Sequence, residues 1–186
     1  PVNRFLKSIE EQSLKLADSV FGQTVSGKWV YESEVIDYVE EDLFMIPDLS
    51  TIRKIPWNKE PTAQIICDLQ YSDNSPSEIA PRQVLKKIIE LLKKEEMEAV
   101  VAPELEFYLC EQNLDPDLPL KTPIGKSGRR ETGSRVFGID AVNEFDMLTD
   151  DIYDYCEILK IGVDTLIHES GPSQIEINLN HGDPLA

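Results

Sequence analysis

Positive charge is scarce in this sequence: 18 Lys and Arg stand against 35 Asp and Glu, a formal charge of -17 at pH 7. Such a surface disfavours a nonspecific grip on nucleic acid or on an anionic membrane, but it leaves room for a nucleotide held through a metal ion. Long apolar runs are also missing. None approaches transmembrane length and no basic-then-apolar leader is visible, so neither a membrane nor a nucleic acid is expected as a partner. Cysteine is sparse, and Cys67, Cys110 and Cys156 show no short ligand-type spacing. Each lies in or beside a mixed apolar run, which predicts buried reduced thiols and a cytoplasmic setting. A phosphate-binding loop is lacking as well. The segment PIGKSGR contains the GKS tripeptide, but Leu120 occupies the place of the first glycine, and no strand-then-helix frame surrounds it.

What is present is a chain of 186 residues with 41% apolar content, enough for one substantial core or for a core with a small satellite. It opens on Pro1 and stops at HGDPLA, as a piece of a longer protein would. Apolar residues at Phe5, Leu6, Ile9, Leu14, Leu16, Ala17 and Val20 form an imperfect helical stripe from Phe5 to Phe21 that ends at Gly22. Between Lys28 and Ile46, KWVYES and LFMIP read as strands, and TAQIICDL (Thr62 to Leu69) reads as a firmer one. The clearest helix lies in SEIAPRQVLKKIIELLKKEEM, with Pro81 in its first turn and Val84, Leu85, Ile88, Ile89 and Leu92 on its inner face. A strand follows within Ala99 to Cys110.

The segment Glu111 to Arg135 is rich in Pro, Gly and charge and has no period. Its length marks it as a lid, a binding loop or a subunit contact. Its cations, Lys126, Arg129, Arg130 and Arg135, are suited to phosphate or carboxylate, and equally to a solvated loop. Helical spacing returns from about Asp146 and stops at Gly162. Strands at Val163 to His168 and Ser173 to Leu179, joined through Gly171 and Pro172, suggest a hairpin. This order argues for an α/β or α+β fold. A domain boundary falls within DNSPSEIAP, residues 73 to 81, where turn formers cluster.

Chemistry is suggested by acids placed in strand-like segments, Glu104 and Glu106 in VVAPELEFYLC and Glu169 and Glu176 in ESGPSQIEINLN. In an extended strand Glu104 and Glu106 share a face, as do Glu176, Asn178 and Asn180, with Ile175, Ile177 and Leu179 opposite. A sheet with one wet side gives the same alternation. The residue types carry the sharper reading. Two carboxylates about 5 Å apart repel by roughly 3 kcal/mol at an effective dielectric near 20, so four converging on one spot need positive charge. Hard oxygen ligands suit Mg2+ or Mn2+. His168 beside Glu169 is either a nitrogen ligand, an orienter of a carboxylate, or an ordinary hydrogen-bonded strand residue. Trp29 and Trp57 read as packing anchors.

The segments PDLSTIRKIPW (47 to 57), PELEFYL (103 to 109) and HESGPSQIEINLNHGDPLA (168 to 186) resemble the glutamine synthetase superfamily, especially its glutamate–putrescine ligase-like, gamma-glutamyl-amine ligase branch. The resemblance implies an α+β fold. A small β-grasp-like amino-terminal domain (1–76) would be followed by the first part of a catalytic domain with an antiparallel sheet (77–186). It implies Glu104, Glu106, Glu169 and Glu176 as ligands of Mg2+ or Mn2+, with ATP, glutamate and ammonia or a primary amine as substrates. It also implies a gamma-glutamyl phosphate intermediate and a ring-shaped homo-oligomer. Ser173 departs from the branch, which carries glycine or alanine before the glutamine. No catalytic residue is assigned in these 186 residues, and on this reading they are inactive alone. Two rival readings are a non-catalytic acidic interaction or regulatory module of the same fold, and a carboxylate-based metal hydrolase.

Overall fold

The amino-terminal helical stripe breaks early. Helix α1 spans Val2–Glu10, and the chain then turns at Gln12, whose φ of 48° lies in the left-handed region. Leu16 and its neighbours are extended instead, in β1 (Lys15–Ala17), followed by a short 3-10 turn over Asp18–Gly22. Eight apolar residues, Phe21 included, scattered over 17 positions fit a helix and a strand-plus-turn about equally, and pairing of β1 with β2 (Asp42–Pro47) decides for the strand.

The computed structural model describes residues 2–30 and 40–186. Within KWVYES, Trp29 forms an isolated bridge with Gln23, and the part from Tyr31 onward lies outside the described residues. The chain divides into two compact units, residues 1–54 with 61–99, and residues 55–60 with 100–184.

In the first unit β3 (Arg53–Lys54) pairs with β4 (Ala63–Gln64), and β5 (Cys67–Gln70) adds to β2, giving the antiparallel order β1-β2-β5. The single strand expected over TAQIICDL is thus two. Ile66 sits at the break because its backbone is satisfied sideways: its N–H donates to Thr51 Oγ1 at 2.9 Å, and its carbonyl accepts from Asp48 N–H at 2.8 Å. Leu43, Leu69 and Ala80 form the buried centre, flanked by Leu16, Phe21, Met45 and Tyr71.

Helix α2 (Pro81–Lys94) starts with proline at its first position and ends with Lys93 and Lys94 in the last turn, where cations suit the helix dipole. Its covered face is rotated from the one expected. Leu85, Ile89 and Leu92 are partly covered, whereas Val84 and Ile88 are 46% and 48% exposed. The reason is electrostatic: Arg82 and Lys86, one turn apart, occupy the covered face because they reach Asp48 and Asp68.

In the second unit β6 (Glu104–Tyr108), β7 (Val163–His168) and β8 (Gln174–Leu179) form an antiparallel sheet in the order β6-β8-β7. Helices α3 (Ile139–Asn143) and α4 (Asp146–Leu159) precede β7. Helix α4 ends at Lys160, which is left-handed with φ 60°. Gly162 therefore serves something other than the helix stop. A Cβ there would lie 2.6 Å from Asn180 Nδ2, so glycine admits the neighbouring chain. Trp57 packs edge-on against Tyr155 of α4 with ring centroids 5.7 Å apart, as an anchor.

The segment from Glu111 to Arg135 is long but pinned. It folds back on itself through an Ile124–Arg130 bridge, a bond from Glu111 N–H to Lys121 O and one from Thr122 Oγ1 to Glu131 O. It is fastened to α3–α4 by a Lys126–Asp146 ion pair and by Ser127 N–H to Glu144 Oε2. The cysteines correct one expectation. All three are free, but Cys110 is exposed, while Cys67 and Cys156 are half-buried with thiol pKa values raised by desolvation. No helix among the described residues is long and apolar enough to cross a membrane.

Candidate metal centre

The wet face of the second sheet is built by alternation. Glu104 and Glu106 project from one face of β6, and Gln174, Glu176 and Asn178 from the matching face of β8. The register sets Glu104 opposite Asn178 and Glu106 opposite Glu176. On the other face Ile175 is fully buried and Ile177 nearly so, which fixes the register, because a one-residue slip would turn both outward.

Three carboxylates meet at the β7–β8 turn. One oxygen each of Glu106, Glu169 and Glu176 lies within 4.8 Å of the others. Glu104 stands one step along the same face of β6, exposed and outside this group. Each of the three is steered by a neutral donor. Gln174 Nε2 donates to Glu106 Oε1 at 2.7 Å, Asn178 Nδ2 to Glu176 Oε1 at 2.9 Å, and Ser170 N–H to Glu169 Oε2 at 3.1 Å. Among the described residues no Lys, Arg or His forms an ion pair with any of them. Amide and hydroxyl donors orient a carboxylate without cancelling its charge, so mutual repulsion persists until a cation arrives.

The donor set fits a hard divalent ion. Octahedral oxygen ligands at about 2.1 Å stand about 3 Å apart when adjacent and about 4.2 Å apart when opposite, and the three oxygens lie within 4.8 Å of one another. Three carboxylates with oxygens to spare match Mg2+ or Mn2+ and offer nothing soft.

His168 is not among the atoms free to ligate. Its ring is fully buried. Nδ1 donates to the Glu169 carbonyl at 2.7 Å, and Nε2 meets Glu131 Oε2 at 2.8 Å. Both nitrogens are engaged, so of the readings open to it the residue fits the hydrogen-bonded strand histidine. The turn beyond is tight. Ser173 is fully buried with φ 57°, its N–H donates to Glu131 Oε2 at 2.5 Å, and its hydroxyl has no partner. Gly171 donates its N–H to Gln174 Oε1 at 2.7 Å.

Sequence reasoning left Gln174 and Glu131 without roles. Gln174 was within reach, since period two places it on the face of Glu176. Glu131 carried no signal, because it lies in an aperiodic loop 37 positions from His168.

The family model for the glutamine synthetase catalytic domain matches residues 78–186, more than half of the chain. The chain belongs to that family. Among curated glutamine synthetase-type relatives, gamma-glutamylputrescine synthetase of Escherichia coli (strain K12) is 30% identical over 167 residues, covering 89% of this chain and 35% of that enzyme. Glutamate–isopropylamine ligase of a Pseudomonas species is 28% identical over 193 residues, covering 97% and 39%. The glutamine synthetase of Methanocaldococcus jannaschii is 32% identical over 167 residues, covering 86% and 35%. The chain thus spans little more than a third of the length of the curated relatives it matches. A crystal structure of a novel glutamine synthase homolog superposes with a TM-score of 0.71 at 17% identity, covering 95% of this chain and 39% of that one, a likeness of fold. Mixed helix and antiparallel sheet, as in the two units here, is the glutamine synthetase-type architecture.

Proposed function

We propose that these residues belong to an ATP-dependent glutamate–ammonia or glutamate–amine ligase that works through gamma-glutamyl phosphate. The observation that carries the reading is the Glu106, Glu169 and Glu176 trio, to which no Lys, Arg or His among the described residues is ion-paired. A bound Mg2+ or Mn2+ would offset negative charge on ATP phosphates and on the transferring phosphoryl group. Glu106, Glu169 and Glu176 would hold one such ion, and Glu104, facing Asn178 one step along, would serve a neighbouring subsite. Gln174, Asn178 and Ser170 hold the carboxylates in place so that little reorganisation accompanies binding. In the overall reaction the gamma-carboxylate of glutamate takes the terminal phosphoryl of ATP, releasing ADP. The amine then displaces phosphate from the acyl carbon and loses a proton.

The finer division is part of the same proposal: residues 1–76 as a β-grasp-like small domain, 77–186 as the first part of the catalytic domain, and a cytoplasmic ring of subunits. The activity is assigned to a protein of the relatives' length, and the 186 residues alone are taken to be inactive. The relatives include both amine ligases and glutamine synthetases, so a primary amine and ammonia both stand as acceptors in this reading.

The test is phosphate release by the full-length protein with glutamate, ATP, Mg2+ and a panel of ammonia, putrescine and simple alkylamines. Release is expected only when glutamate and one amine are both present. Glu106→Gln is expected to lower that rate at least a hundredfold while the far-ultraviolet circular dichroism stays unchanged. Near-normal turnover in this variant would remove Glu106 from the site.

A further inference from the structure

One carboxylate beside the trio is placed unlike the others. Glu131 comes from the pinned arm, its side chain is 8% exposed, and its Oε2 makes two contacts, to His168 Nε2 at 2.8 Å and to Ser173 N–H at 2.5 Å. Those two residues are the last of β7 and the one just before β8, so a single oxygen ties together both ends of the turn that carries Glu169. Glu131 Oε1 is buried without a hydrogen-bond partner, and so is Ser173 Oγ. Burying a carboxylate is costly unless hydrogen bonds or charge offset it. Ser173 adds strain by holding a left-handed backbone that non-glycine residues avoid. Polar burial and backbone strain in one place mark a geometry that the surroundings impose.

What that geometry delivers is the position of Glu169. From Glu131 the contacts run through His168 Nδ1 to the carbonyl of Glu169, and through Ser173 to Gln174, whose side chain steers Glu106. Glu169 N–H closes the turn on Gln174 O at 2.8 Å. Without the bridge, two buried polar groups lose their partner, and from outside the turn Phe137 N–H on His168 O and Leu109 N–H on Ser173 O are left to hold its ends, with no side chain joining them.

We propose that Glu131 is a positioning residue for the three-carboxylate centre: by bridging His168 and Ser173 it fixes the turn bearing Glu169 and sets the affinity for a divalent cation. The arm from Glu111 to Arg135 thereby acts as the clamp of the centre. This rests on reading Glu106, Glu169 and Glu176 as a cation site.

The test is Mn2+ binding to this chain, followed by the free-ion electron paramagnetic resonance signal up to millimolar Mn2+ and well below the melting temperature, with melting curves alongside. Glu131→Ala is expected to weaken Mn2+ binding ten- to a hundredfold, the range for loss of a group that holds a ligand. Glu131→Gln keeps an oxygen to accept from Ser173 N–H and an amide that can face His168 Nε2, but without the charge of the carboxylate. It is expected to fold and to recover part of the loss. A purely structural role would lower the melting temperature of both variants and leave the affinity of the folded protein within twofold of the parent, which overturns the proposal. Glu176→Gln separates the two levels. If it abolishes binding while Glu131→Gln and Glu131→Ala do not change it, the clamp alone is wrong. If neither the parent binds Mn2+ nor Glu176→Gln changes anything, the cation-site reading falls and takes the clamp with it.

Discussion

Two clusters of carboxylates, one in each unit, are assembled on opposite principles. In the first unit Asp48 and Asp68 are met by Arg82 and Lys86. Arg82 reaches Asp48 Oδ2 at 2.6 Å and Asp68 Oδ1 at 2.9 Å, and Lys86 closes on the other oxygen of Asp68. Two negative charges face two positive ones, and the cluster is complete. In the second unit three glutamates gather around neutral amides and a serine, and no Lys, Arg or His among the described residues forms an ion pair with them. The contrast separates a structural clasp from the proposed cation site. Both concentrate acids, but only the second leaves charge for something from outside to neutralise.

The comparison breaks most visibly under paired substitution. Arg82→Ala should cost about 2 to 3 kcal/mol in urea unfolding, because it leaves Asp48 and Asp68 partly buried with one cation between them. Glu176→Gln, measured without divalent ions, should leave stability unchanged or raise it, because it removes a like charge. If Glu176→Gln destabilises as Arg82→Ala does, the trio is a structural element and the contrast is gone.

A smaller effect is expected at the turn. Ser173→Gly removes a left-handed serine and a buried hydroxyl without a partner. The gain is partly offset by the greater freedom of glycine in the unfolded chain, for a net stabilisation of about 0.5 to 1 kcal/mol. A loss of stability in thermal melts would mean that the hydroxyl has a role that the left-handed backbone does not account for.

Acid supplies the mildest probe. The Ser50 hydroxyl and then Arg82 hold the Asp48 carboxyl down at about 2, below its ordinary 3.8. A group depressed on folding stabilises fully above its unfolded value and loses that contribution as pH falls through the folded one. The clasp should therefore hold at pH 5, weaken below about pH 4 and be lost near pH 2. The urea midpoint of the parent should fall over that window more than that of Asp48→Asn. Parallel midpoints would show that Asp48 is not held as described.

Legibility in the sequence followed the range of the interactions. Alternation in PELEFYL and QIEINL put the acids on one face and the isoleucines on the other, and the sheet kept both assignments. Pro81 marked the start of α2. The stripe from Phe5 to Phe21 misled because apolar spacing alone does not register a left-handed Gln12. TAQIICDL split because Ile66 takes its bonds from Thr51 and Asp48, and no local pattern announces those. Arg82 and Lys86 displaced Val84 and Ile88 from the covered face for the same kind of reason, a partner distant in sequence. Glu131 is the limiting case, since nothing about its own segment points to His168.

Gly171 makes the turn intolerant in a specific direction. A first side-chain carbon there would fall 2.5 Å from Cε1 and 2.6 Å from the hydroxyl of Tyr108. Tyr108 is 58% exposed, so a larger residue at position 171 would have to push that ring outward, and the two positions share one space beside the turn.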